Sequence, residues 1–189
     1  VEAILWEARK ILPFPLEEGI WDYLVLREEV ERGVRNLEMM LVVAPRGTVS
    51  EHLALLEDAG LEPIAVEVNS LALVSAWERT YSGRAGETVA LIDLGATATT
   101  INIIHQGVLQ LTREVAIAGN HFTEAIQQAL GMDFSGAEKL KKEQGFSSGK
   151  AGENLPVSRA LRPLLDQLLL EIQRSSDYYR AQFRGETIG

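Results

Sequence analysis

An α/β fold, with an α+β unit at its front, is predicted by three observations. Short apolar runs typical of strands alternate with apolar stripes at helical spacing along 189 residues. The first 80 residues give the order helix, two strands, helix, strand, helix. From Thr88 the order changes to three successive strands followed by helices. At 46% hydrophobic residues the chain can bury a sizeable core.

The elements follow in order. Val1–Lys10 is rich in helix formers, with Val1, Ile4 and Ala8 on one face. Pro13 and Pro15 stop that helix and force an extended turn, Leu12-Pro13-Phe14-Pro15. Trp21–Leu26 mixes aromatic and aliphatic residues as a half-buried strand does. Arg27–Arg35, with Gly33, reads as a solvated hairpin tip, and Leu37–Ala44 as the returning strand. Pro45 to Thr48 breaks it; Val49, Leu53 and Leu56 fall at helical spacing, closed by Gly60. Pro63–Val68 is expected as a third strand and Leu71–Trp77 as a helix. Ser82–Glu87 reads as a linker, which sets units of 1–81 and 88–189.

In the second half, Thr88–Leu94 is a continuous apolar run, expected as a strand buried on both faces. Ile101–Ile104 and Val108–Ile117 follow as strands around the turn His105-Gln106-Gly107. Phe122, Ala125, Ile126, Ala129 and Leu130 mark a helix face, ended by Gly131. Ser135 to Gln144 is a shorter helix before Gly145, and Phe146–Leu155 a loop. Leu161, Leu165, Leu168, Ile172, Tyr179 and Phe183 form one stripe of a long last helix, with Pro163 in its first turns.

Composition narrows the function classes. A net charge of −9 argues against non-specific nucleic-acid binding, which needs a basic face. With no cysteine there is no disulfide, thiolate metal site or cysteine nucleophile. No apolar run reaches the length of a membrane span, and no leader pattern opens the chain. His52, His105 and His121 lack ligand-like spacing, and neither a P-loop nor a nucleophile elbow occurs.

Three segments could carry chemistry. In Leu91-Ile92-Asp93-Leu94-Gly95-Ala96-Thr97 a strand ends at a carboxylate and a turn of small residues follows. Such a turn lets backbone N–H groups approach a phosphate, and the carboxylate can hold Mg²⁺. The same residues also serve a plain β-hairpin. Gly119-Asn120 opens a helix whose free N–H groups would suit an anion or a ribose, or simply caps it. Ser135 and Glu138 have capping-box spacing, while Glu138 and Lys141 share a helix face that could meet a ribose and a base.

Taken together, these segments resemble the type IV pilus assembly protein PilM family, actin-like relatives of the division protein FtsA. The resemblance lies in Trp6-Glu7-Ala8 with Ile11-Leu12-Pro13-Phe14-Pro15-Leu16, and in Ala59-Gly60-Leu61-Glu62-Pro63 with Val66-Glu67-Val68. It continues through Asp93-Leu94-Gly95-Ala96-Thr97, Gly119-Asn120-His121-Phe122-Thr123-Glu124-Ala125-Ile126, and Ala137-Glu138 with Lys141. It implies a partial actin-like, ribonuclease H-like fold, with residues 1–81 as an FtsA-type inserted subdomain and 88–189 as most of the second lobe.

By the same resemblance, ATP and Mg²⁺ are the expected cofactors, with Asp93 at the metal. Asp93, Gly95, Ala96 and Thr97 would form the second phosphate loop. Gly119 and Asn120 would lie near ribose and phosphates, and Glu138 and Lys141 at ribose and adenine. The family's first phosphate loop would precede Val1 and its final Gly-Gly segment would follow Gly189. ATP binding by these 189 residues alone is therefore expected to be weak. The implied role is a cytoplasmic scaffold at the inner face of the inner membrane. Its partners would be the cytoplasmic N-terminal tail of PilN and other pilus-assembly proteins, with membrane attachment indirect. Alternatives are a GspL-like component of type II secretion and a sugar-kinase-like phosphotransferase. The latter would need a substrate insert with clustered Asp, Asn or His, and none is visible.

Overall fold

The computed structural model describes residues 2–31, 33–81, 86–147 and 155–183. They form two compact units, Val1–Glu67 and Val68–Gly189. The division falls at Val68 and not at the expected linker, of which residues 82–85 lie outside the described set. The helix after Val68 therefore belongs to the second unit.

In the first unit, α1 (Glu2–Ile11) ends as the proline-rich turn requires, and a 3-10 turn covers Leu16–Glu18. β1 (Gly19–Glu31) and β2 (Val34–Pro45) pair antiparallel from Gly19–Pro45 to Glu31–Val34, with a bulge between Val25 and Arg27. The charged stretch expected as a hairpin tip is thus mostly ladder. Cross-strand pairs of opposite charge, such as Arg35 with Glu28, suit a strand surface as well as a loop. α2 (Arg46–Asp58) packs at the base of this ribbon, where Arg46 Nη2 donates to the Gly19 carbonyl at 3.0 Å.

The expected strand Pro63–Val68 does not form. No strand among the described residues pairs with 61–68, and Ile64 is 98% exposed. An apolar pattern predicts a strand only where an edge is available to pair with it.

In the second unit, α3 (Asn69–Thr80) precedes the sheet β3 (Thr88–Leu94), β4 (Thr99–His105) and β5 (Val108–Val115). The order is β3-β4-β5, antiparallel throughout. β4 is central, and Ile101, Ile103 and Ile104 are almost fully buried. Among the described residues β3 lies at an edge of the sheet, and its burial fades along its length: Val89 is buried, whereas Ile92, Asp93 and Leu94 are exposed. This corrects the expectation of a strand covered on both faces. Thr112 and Arg113 are neighbours on β5 and so point to opposite faces. Thr112 bonds Ser70 of α3 at 2.9 Å, and Arg113 pairs with Glu171 of α6 (Pro156–Gln182). The sheet is therefore sandwiched between α3 and α6.

α4 (Gly119–Leu130) and α5 (Phe134–Gln144) complete the unit. Phe122, Ile126, Ala137, Val157, Leu161 and Leu168 form one buried cluster between α4, α5 and α6. Gly131 closes α4 at φ 67°, a left-handed cap that glycine adopts without strain. α6 starts with Pro156 in its first turn and runs through Pro163. Its stripe ends at Tyr179, which is buried and stacked on Phe183 with ring centroids 5.1 Å apart.

Candidate functional site

The β3–β4 turn is fastened to the start of α4. The buried Thr99 donates its hydroxyl to the Ile117 carbonyl. The Gly119 amide donates to the Gly95 carbonyl at 2.9 Å, and the Asn120 amide to the Ala96 carbonyl at 2.8 Å. Gly95 N–H closes the turn on the Ala98 carbonyl at 3.1 Å. Both glycines answer crowding. A Cβ on Gly95 would lie 2.8 Å from the Ala98 oxygen, and one on Gly119 3.2 Å from the Gly95 oxygen.

This seam changes the chemistry expected of the α4 start. The amides of Gly119 and Asn120 are spent on the turn and are not free anion donors. The amides of Ala96 and Thr97, on exposed residues, have no hydrogen-bond partner among the described residues. Asp93 is exposed opposite Thr100, and its carboxylate likewise makes no hydrogen bond or ion pair among them. An exposed carboxylate, and small-residue amides on the following turn that make no hydrogen bond among the described residues, are the groups that a hydrated Mg²⁺ and phosphate oxygens take. No group of three acidic, His or Cys residues fit to hold a metal occurs among the described residues.

The second half of the site joins α4 to α5. Lys141 Nζ donates to the Gly119 carbonyl at 2.9 Å and to the Thr123 hydroxyl at 2.8 Å, and lies 2.6 Å from Glu138 Oε2. Thr123 Oγ1 also contacts Glu138 Oε2, and Lys142 Nζ is 3.3 Å from Glu138 Oε1. The Lys141 hydrogen bond, then those of Thr123 and Lys142, hold the Glu138 carboxyl down to about 2 against the cost of its partial burial. The capping-box expectation fails: Asp133 is the N-cap of α5 and accepts from the Gly136 amide at 2.8 Å. Glu138 faces α4 instead. Outside this cluster, Phe134, Ser135, Lys139 and Lys142 line an open depression of about 600 Å³ with Glu138.

The structure thus brings together Gly95, Ala96, Gly119 and Asn120 through backbone bonds, and Gly119, Glu138 and Lys141 through side chains. No hydrogen bond or ion pair among the described residues ties Asp93 or Thr97 to Glu138 or Lys141. Sequence reasoning assigned no role to Thr123 or Lys142. Thr123 lies three residues before Ile126 on the apolar stripe of α4, and a hydroxyl on a buried stripe was the available signal. His121 accepts from the Ala118 amide at 3.3 Å and so helps cap α4.

The sequence model of the type IV pilus assembly protein PilM matches residues 2–188. The chain belongs to the PilM family. A solved PilM–PilN type IV pilus biogenesis complex matches with a TM-score of 0.79 and 28% identity, over 96% of this chain and 51% of that one. The cell division protein FtsA of Bacillus subtilis (strain 168) is 30% identical over 153 residues, 75% of this chain and 34% of FtsA. MreB 5 of Spiroplasma citri, solved with AMPPNP, matches with a TM-score of 0.56 and 16% identity over 70% of this chain and 47% of MreB. These matches establish an actin-like fold. The chain spans about half the length of the PilM structure it matches and a third of FtsA. No helix among the described residues is long and apolar enough to cross a membrane.

Proposed function

We propose that this PilM-family chain supplies one side of an Mg-ATP site in a type IV pilus scaffold. Asp93 would hold the cation, the turn Gly95-Ala96-Thr97 would face phosphate, and Glu138 would accept from ribose hydroxyls. When bound, Mg²⁺ would neutralise phosphate charge at Asp93. Gly119, Asn120 and Lys141 fix the frame that the nucleotide meets. The observation that carries this reading is the Asp93 turn itself: a carboxylate and two small-residue amides that make no hydrogen bond among the described residues, on a turn stitched to the helix that anchors Glu138. ATP in this reading is a structural or switching ligand.

The proposed partner is the cytoplasmic tail of PilN, with attachment at the inner face of the inner membrane through such partners. Its support is the match to PilM in complex with PilN across nearly the whole chain. The FtsA-type inserted subdomain is proposed over residues 1–81, of which the compact unit Val1–Glu67 with its exposed β1–β2 ribbon is the larger part.

Calorimetry with the full-length protein tests the nucleotide reading. Wild type should bind Mg-ATP, and Asp93→Ala should weaken binding at least tenfold, as expected when a charge-assisted contact is lost. Equal affinity of both proteins would remove Asp93 from the site. A PilN-tail peptide titrated into the same samples should bind both.

A further inference from the structure

The Lys141 ammonium has three N–H donors. Its neighbours are three acceptors: the Gly119 carbonyl at 2.9 Å, the Thr123 hydroxyl at 2.8 Å and Glu138 Oε2 at 2.6 Å. All three donors are used inside the protein. Thr123, at the hub, is fully buried. Its oxygen accepts from Lys141, and its own proton goes to Glu138 Oε2, with the Gly119 carbonyl as the weaker alternative at 3.1 Å. Glu138 Oε1 is left outside the cluster beside Lys142.

We infer that Thr123 is the positioning residue of this site, its buried hydroxyl clamping Lys141 and one oxygen of Glu138 to the first turn of α4 so that the other oxygen faces the ligand. The inference rests on the nucleotide reading above and reassigns Lys141 from ligand contact to internal clip. A serine would keep the clamp. A valine of nearly the same shape would remove both the acceptor of Lys141 and the donor to Glu138 while filling the same space. The charged groups around Glu138 are Lys141 and Lys142, with Lys139 and Glu143 lining the same depression on α5. From α4 the group reaching it is the uncharged Thr123.

Carboxyl ¹³C NMR on wild type, Thr123→Ser and Thr123→Val separates positioning from packing. The Glu138 titration, near 2 in wild type, should move upward in Thr123→Val and stay in place in Thr123→Ser. Mg-ATP affinity should fall roughly tenfold in the valine variant and hold within about twofold in the serine variant. Thr123→Ala serves the same comparison if valine prevents folding. An unshifted Glu138 in a folded valine or alanine variant that still binds Mg-ATP overturns the inference. So does a serine variant that behaves like valine. If wild type binds no Mg-ATP, the nucleotide reading falls, and the NMR comparison decides the placement of Glu138 independently.

Discussion

The two units use apolar residues in opposite ways. Among its described residues, unit 1 buries only Ala8 and Leu16 of its hydrophobic side chains, while Trp21, Tyr23, Leu24 and Val25 stay exposed along β1. Unit 2 closes a sheet between helices and buries Ile103, Ile104 and Ile126 completely. A two-stranded ribbon is marginal by itself, because one ladder leaves two edges and most of both faces in water. A three-stranded sheet with helices on both faces covers its central strand. Apolar content alone therefore does not measure how well a segment is packed; the number of layers decides.

The largest expected effect follows directly. Ile126→Ala empties a site inside the α4–α5–α6 cluster and should cost unit 2 about 2–5 kcal/mol. Leu24→Ala in β1, at a side chain 58% exposed, should cost under about 1 kcal/mol. Urea unfolding of the two variants measures both. A loss at Leu24 as large as that at Ile126 would mean that β1 is covered in solution, and the contrast between units would fall.

A smaller contrast concerns glycine. Gly95→Ala places a Cβ 2.8 Å from the Ala98 oxygen, so the turn must shift, at a cost of about 1–3 kcal/mol. Gly47, in the first turn of α2, meets nothing within 4 Å, and alanine there should be neutral or stabilising by up to about 1 kcal/mol. Thermal melts of both variants check the pair. If Gly95→Ala is silent, the seam between the turn and α4 is looser than its hydrogen bonds imply.

The sequence was most legible where a segment's surroundings come from its own neighbours. The Phe122–Leu130 stripe and the long stripe from Leu161 both mark helices of the buried cluster. Pro63–Val68 misled because an apolar run, broken only by Glu67, says nothing about whether an edge is present. Thr88–Leu94 misled in the same way, since an apolar run cannot reveal that its strand lies at an edge. The place of Asp93 near the end of β3 and the close approaches at Gly95 and Gly119 were readable from residue type, because a carboxylate before a turn and glycines at tight contacts are local signals. The direction of Glu138 was not. Its capping-box spacing with Ser135 is a pattern within one helix, and what overrides it is Thr123 and Lys141 meeting across α4 and α5.

The smallest effects separate two glutamates of similar chemistry. Glu138 and Glu28 are each held below the usual carboxylate range, chiefly by a side-chain hydrogen bond, from Lys141 in one case and Arg35 in the other. A carboxyl lowered in the folded state stabilises it above the unfolded value, and that contribution disappears as pH falls through the folded value. For Glu138 the window runs from about 4.5 down to about 2. Wild type should therefore melt higher than Glu138→Gln at pH 7, and the gap should narrow as the pH is lowered through that window. Glu28 lies on the open ribbon, 45% exposed beside an Arg35 that is 66% exposed, where water and salt screen the pair. Glu28→Gln should leave the melting temperature unchanged at both ends of the pH range. A pH-dependent gap at Glu28 as large as that at Glu138 would show that the ribbon shields its charges, and with them the apolar side chains that share its faces.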